Sequence, residues 1–557
     1  MNKPSLPVSI FNDVIGPVMR GPSSSHCAAA LRIGRLARDL MGQQFDEVLV
    51  EFDRAGSLPT THESQGSDMG LFGGLMGWEA DDERLPDSAS HLTTAGVQVR
   101  IETVDAGDEH PNTYRLTLRN GEKTHFLRAI STGGGMIEVL NIDEHSVSMF
   151  GDYHVTLIWT ADGVIDEQGD RVNHSTGLAL LLGANLPDDY QVHVLEFGGG
   201  LIAVSGPAFV SDELIQQFQI PCAISEVRDL SPVLPVPSFT GMKVPFSSCA
   251  EMLSVDAGRN LSLTQHAIDF ERQRSGLSEE AVVEKMIGIV RILRKSIQQG
   301  IAGTSYEDRV LPPQTPEFQK QLQAGNLLNG GAGNKIVLYV SALMEVKSSM
   351  GVIVAAPTAG ACAALPAAVI AIAESLGKSE REMAEAMLAS GLIGVFIASH
   401  WTFAAEVGGC QAEGGSAAAM AAAALVTLGG GTLPQAVAAA SMAMQSMIGL
   451  ICDPVANRVE VPCLGKNVMA ATNALSCANM ALANFDPVIP FDEVVATAKR
   501  VALQMPRELR CTNLGGLSIT PTSIALEENL AARKSAGCGS SCGCGVSQPL
   551  SLAKLAK

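Results

Sequence analysis

The chain reads as a multidomain protein in which an N-terminal α/β (α+β) domain precedes a mostly all-α domain. Three observations predict this. Its 557 residues exceed what one hydrophobic core organises. The first 150 or so residues carry short runs of alternating apolar and polar character with one helical stretch. Beyond a proline cluster at Pro232, Pro235 and Pro237, apolar residues recur at three-to-four spacing almost without interruption.

In chain order, a helix is expected from about Cys27 to Gly42, followed by strands over residues 48–52, 97–101 and 114–118. Residues 155–159, 176–182, 190–197 and 201–204 read as strand, helix, strand and strand. They form either an added layer on the first domain or a small ligand-sensing module. The prolines then make an extended linker, since proline fixes φ and cannot continue a helix. Helices are expected over residues 261–274, 278–299, 335–344, 366–376, 379–390, 416–428, 433–451 and 491–505, each bounded by Gly, Pro or Ser. The expected units are therefore 1–150, 151–235, 236–535 and a low-complexity, flexible tail, 536–557, containing Cys538, Cys542 and Cys544.

Composition narrows the function. The net charge is −20 and no basic cluster occurs, so neither nucleic acid nor an anionic membrane is an expected partner. The N-terminus has neither a charged region nor a long apolar run, which predicts a cytoplasmic protein without a signal peptide. Twelve cysteines in such a chain read as reduced thiols and metal ligands. Residues 386–407 are long and apolar enough to span a bilayer, but they contain His400 and Glu406 and lack a flanking basic loop. A buried core helix is the expectation there.

Cys410, Cys452 and Cys463 each lie in a glycine- or proline-bent loop, and three thiolates can hold a four-iron cluster with one iron left open as a Lewis acid. Their separations, 42 residues from 410 to 452 and 11 from 452 to 463, match neither ferredoxin nor zinc-finger spacing. Spacing alone favours three buried thiols.

The surroundings carry more. Residues 408–417 (GGCQAEGGSA), 452–455 (CDPV), 459–463 (VEVPC), 351–362 (GVIVAAPTAGAC) and 515–522 (GGLSITPT) resemble the alpha part of iron-sulfur L-serine dehydratases. Residues 21–26 (GPSSSH) resemble the signature of that family's beta part. The resemblance runs over roughly 8–150 and 241–530, in the order of a fused beta-alpha chain. It implies a 4Fe-4S cluster on Cys410, Cys452 and Cys463, an L-serine ammonia-lyase activity giving pyruvate and ammonia, and a homodimer.

Ser23, Ser24, Ser25 and His26 precede a helix, where N–H groups and hydroxyls converge; this is a seat for an amino-acid carboxylate, with a serine N-cap as the plain alternative. The family's Gly-His-Gly-Thr-Asp stretch is altered. By its trailing Gly66-Ser67-Asp68 the family histidine falls on Gln65, which cannot be a general base. His62, or else His26, is the expected catalytic base. Cys362 is expected to pack or line the site. Asp453 and Glu413 either orient the cluster loops or cap backbone, and Lys466 either meets substrate charge or is solvated. Three readings of function remain open: the serine lyase, a related cluster enzyme for threonine, cysteine or another β-substituted amino acid, and a non-catalytic amino-acid sensor with a structural metal.

Overall fold

Val48, Val50 and Phe52 are buried while Glu47, Leu49 and Glu51 are less so, the period of two that puts one strand face on a core. The computed structural model in which this is seen describes residues 7–121, 123–161, 174–195, 200–220, 222–237 and 242–537. The tail cysteines Cys538, Cys542 and Cys544 and linker residues 238–241 lie outside the described residues.

Strand β1 (Val18–Met19) stands apart near the N-terminus. Strands β2 (Glu47–Asp53), β3 (Gln98–Val104), β4 (Thr113–Asn120), β5 (Lys123–Gly133), β6 (Met136–Ile142) and β7 (His145–Met149) form one sheet in the order β3-β2-β4-β5-β6-β7. Only β2 and β3 are parallel; every other pair is antiparallel. The sheet is covered by helix Ala29–Leu40, which packs tightly on helix Ser67–Leu75. Their contact needs glycine: a Cβ on Gly70 would lie 2.0 Å from the Cys27 carbonyl oxygen, and one on Gly74 2.0 Å from that of Leu31. The close approach fixes the turn that carries His62 and Gln65 beside the start of the first helix.

Strands β8 (His154–Thr160), β9 (Gln191–Leu195), β10 (Gly200–Gly206) and β11 (Ile224–Leu230), with helices His174–Asn185 and Asp212–Gln219, follow a β-α-β-β-α-β order. They make an antiparallel sheet ordered β11-β8-β10-β9. Alternation divides its two faces. Val155, Leu157, Leu201 and Ala203 join the first domain's core, whereas Ile158, Ile202 and Val204 pack with Leu178 and Leu182 of the module's own helix. The segment is thus a layer on the first domain and a separately organised module at once.

Among the described residues the last unit is helical, with one exception: β12 (Ile353–Val354) pairs with β1, so the expected all-α domain holds a strand supplied with a partner from the N-terminus. Helix Ser416–Leu428 forms its centre, packed against helices Glu380–His400, Ala364–Ser375, Leu433–Gln445 and Cys463–Leu482. Its alanines are buried on all sides, the pattern of an interior helix whose small side chains let neighbours approach. Helix Glu380–His400 is the single described helix long and apolar enough to cross a membrane, and 78% of its apolar window is buried inside the protein.

Residues before the first helix do not belong to the sheet domain's core. Ile10, Phe11, Val14, Ile15 and Met19 are buried within the helical domain's core, beyond the expected boundary at 150. Gly391 and Gly394 give them room, for added Cβ atoms would lie 2.5 and 2.1 Å from Ile10 and Val14 side-chain carbons. The strap is fixed by buried Glu271, which accepts hydrogen bonds from Ser9 Oγ and the Ile10 N–H, both at 2.8 Å. This strap holds the GPSSSH segment against the helical domain.

Candidate active site

The 21–26 segment meets the helical domain at one buried place. Ser24–Ala28 forms a wide turn running straight into helix Ala29–Leu40, and Ser23, at its start, makes no side-chain cap. Its hydroxyl instead lies 3.0 Å from His26 Nδ1. Ser24 Oγ accepts a 3.3 Å hydrogen bond from the Ala359 N–H, joining the segment to the 351–362 loop, and Ser25 is buried. His26 is fully buried; its Nε2 lies 2.9 Å from Thr61 Oγ1. Since the Thr61 hydroxyl donates to the Ser57 carbonyl at 2.8 Å, His26 Nε2–H must be the donor to Thr61, leaving Nδ1 to accept from Ser23. Burial, with the His62 charge nearby, pushes the His26 pKa down to about 3, so the ring is neutral.

Helix Leu58–Thr61 and the turn after it present His62 and Gln65 differently. His62 Nδ1 lies 2.8 and 2.9 Å from the two Asp68 oxygens, and the ring packs on Phe52. Burial opposes its charge, yet the Asp68 hydrogen bond and carboxylate hold His62 above its ordinary pKa. Gln65 is buried and reaches across to the helical domain, donating to Asn457 Oδ1 at 3.2 Å and lying 3.9 Å from Cys511 Sγ. Gln65 therefore contacts the thiol cluster, whereas His62 pairs with a carboxylate of its own turn.

Cys410 ends the short loop after helix Ala405–Gly408, Cys452 follows helix Leu433–Gln445, and Cys463 begins helix Cys463–Leu482. The first two are gathered closely: ligand atoms of Cys410, Glu413 and Cys452 all lie within 4.8 Å of one another. Cys463 is buried alongside, near enough to Cys410 that burial and then the Cys410 thiolate raise its pKa. A fourth sulfur, Cys511, packs with Cys410, Cys452 and Ala405 in a buried cluster. Sequence reasoning missed it, although it lies four residues before the matched 515–522 stretch.

Lys466 supplies the positive charge here. Its Nζ lies 2.7 Å from Asp453 Oδ1, 2.7 Å from the Ile451 carbonyl and 3.6 Å from Cys410 Sγ. Burial works against the ammonium, but the Cys410 and Asp453 charges raise its pKa. Asp453 Oδ2 also accepts from the Leu517 N–H at 3.0 Å, tying the cysteine loop to the late glycine stretch. Asn467 joins Cys463 to the 360–364 turn: Oδ1 accepts from the Ala363 and Ala364 N–H groups, and Nδ2 donates to the Gly360 and Cys463 carbonyls. Cys362 is buried and its thiol is pushed up to about 11, first by burial.

Two carboxyls complete the site. Glu413 accepts from Thr358 Oγ1 at 2.7 Å, and burial raises its pKa to about 7. Glu406 lies 3.7 Å from His26 Nδ1, and its Oε2 has no hydrogen-bond partner among the described residues. Burial raises this group too. The sequence reading passed over Glu406 except as a charge interrupting an apolar run.

Buried thiols beside an ammonium and carboxyls fit a soft, thiolate-bound metal group, because each deprotonated sulfur needs a counter-charge or a metal in so dry a place. Residues 258–518 match the family model described as serine dehydratase alpha chain. Over 285 residues the chain is 33% identical to the "Probable L-serine dehydratase, alpha chain" of Bacillus subtilis (strain 168), covering 51% of this chain and 95% of that one. It is 37% identical over 150 residues to the "Probable L-serine dehydratase, beta chain" of the same organism, 27% of this chain and 67% of the other. Against "L-serine dehydratase 2" of Escherichia coli (strain K12) it is 27% identical over 527 residues, 92% of this chain and 98% of that relative.

Proposed function

Because the chain belongs to the serine dehydratase family, we propose that it is an L-serine ammonia-lyase whose Cys410, Cys452 and Cys463 hold a 4Fe-4S cluster. The observation that carries the reading is the burial of these thiols beside Lys466, with Cys511 of the same buried cluster reached by Gln65 from the sheet domain. Once bound, the cluster would supply Lewis acidity for loss of a β-hydroxyl, chemistry for which no pyridoxal group is needed.

The remaining work falls to side chains. The uncapped turn at Ser24–Ala28 and the Ser23–Ser25 hydroxyls bind the substrate carboxylate. Neutral His26, fixed between Ser23 and Thr61, holds that seat in shape. His62 takes the α-proton on Nε2 while Asp68 holds the ring through Nδ1, the usual division between a base and its orienting carboxylate. The aminoacrylate released then tautomerises and hydrolyses to pyruvate and ammonia.

One observation favours a second reading. Gln65, at the position of the family histidine, contacts the thiol cluster with an amide that donates and accepts but cannot take a proton. A threonine, cysteine or other β-substituted amino acid would then be the substrate. Anaerobic release of 2-oxo acid across a panel of these amino acids separates the cases. Pyruvate from L-serine at the highest kcat/KM is the expected result, and a preference for another member establishes the second reading. An iron-loaded protein that turns over none of them but binds one is a sensor. We further propose a cytoplasmic homodimer.

A further inference from the structure

Among the described residues no lysine or arginine lies within ion-pair distance of Glu406. Its side chain is only 6% exposed, its Oε1 faces the neutral His26 ring at 3.7 Å, and its Oε2 has no hydrogen-bond partner among those residues. The other acids of the site are provided for. Glu413 accepts from Thr358 Oγ1 and feels the charges of Lys347 and Lys466, while Asp453 pairs with Lys466. A carboxylate taken out of water is costly unless a cation joins it.

Hydrogen bonds from the sheet domain hold Glu406 in place. His26 Nε2–H donates to Thr61 Oγ1, the Thr61 hydroxyl to the Ser57 carbonyl, and the Ser57 hydroxyl to Asn112 Oδ1. With its oxygen so occupied, Asn112 offers its amide N–H to the Glu406 carboxylate. The Ser23 hydroxyl and Glu406 Oε1 both converge on His26 Nδ1, at 3.0 and 3.7 Å, and the Glu406 charge also reaches Cys511. Glu406 therefore stands between the Ser23–His26 segment and the thiols.

Resting on the lyase reading above, we propose that Glu406 binds the α-ammonium of the amino-acid substrate. The carboxylate seat at Ser23–Ser25 and Glu406 meet at His26, so the two charged groups carried by one Cα find opposite partners side by side. An ammonium has three N–H donors, and the open Oε2 accepts one of them. The pairing keeps the amino group protonated and electron-withdrawing at Cα, which makes the α-proton easier for His62 to take. It also selects among substrates: a 2-hydroxy acid of the same shape brings no cation and leaves the carboxylate buried and unpaired.

The test uses the full chain, purified and iron-loaded without air. Glu406→Gln keeps the shape of the side chain and an acceptor for Asn112 while removing the charge. Anaerobic turnover gives KM for L-serine, and its inhibition gives the affinity for L-glycerate, which is serine with a hydroxyl in place of the ammonium. In the variant KM for L-serine should rise at least about tenfold, whereas L-glycerate should bind as well as it does to wild type, or better. A merely structural role weakens both ligands alike, and that result, or an unchanged KM for L-serine, overturns the assignment. If Glu406→Gln yields no iron-loaded protein, Glu406→Asp, which draws the charge back by one carbon, is read in the same way: serine weakened with glycerate unaffected supports the assignment, and equal weakening overturns it. Wild-type protein that turns over no amino acid removes the proposed function and this inference together, whereas an active lyase whose variants lose serine and glycerate equally removes the inference alone.

Discussion

Replacing Lys466 by Met should unsettle the cysteine loops, because its ammonium is the partner of buried Asp453. The ammonium and Asp453 are 2.7 Å apart, with side-chain exposures of 14% and 7%. At that separation and an effective dielectric of about 20, direct attraction is about 6 kcal/mol, most of it offset by the cost of drying both ions. Removing one partner leaves Asp453 buried and unpaired, and the loss should be about 3–5 kcal/mol. Such a loss is a large fraction of the stability of a typical domain. The assay is urea unfolding of Lys466→Met, Asp453→Asn and the double variant in metal-free protein, followed by helical circular dichroism. The double variant should recover about 2 kcal/mol relative to the sum of the singles, because it strands no charge. A single variant within about 0.5 kcal/mol of wild type would refute the buried pairing and the counter-charge role built on it.

His62→Ala should lower kcat by about 10²–10⁴ while changing KM much less, as expected for a group acting in the transition state; an unchanged kcat removes His62 as the base. The Asp68 pairing raises the His62 pKa above 6.5, so the acid limb of kcat/KM should lie above that value and Asp68→Asn should move it lower. Stability from the charged pair runs the other way: it is present below pH 6.5 and lost as pH rises through the folded-state pKa. Iron content measured on anaerobic protein should collapse in Cys410→Ser, Cys452→Ser and Cys463→Ser, but not in Cys362→Ser. Gly74→Ala should cost about 3 kcal/mol in urea unfolding, because its Cβ would fall 2.0 Å from the Leu31 carbonyl oxygen; a neutral result would mean the two helices can separate freely.

Periodicity made the helices legible, because an interior helix such as Ser416–Leu428 declares itself by continuous small apolar residues with glycine beyond it. The two-residue pair β1–β12 left no such trace, being too short for an alternating pattern and joined across more than 330 residues. Nor did the sequence reveal that Ile10 and Val14 pack in the helical core, since an apolar residue carries no label for which core it enters. Cys511 escaped for a related reason: its partnership with Cys452 comes from two backbone hydrogen bonds between segments about 60 residues apart, not from any local motif. Glu406 stood beside the cysteine loop all along, but only the fold shows it 3.7 Å from His26.

Iron and acid-labile sulfide, counted per chain in anaerobically purified protein, test the central claim most directly. About four of each, with both absent from Cys452→Ser, is the predicted result. About one zinc per chain and no sulfide would contradict it, leaving the thiols as a structural metal site.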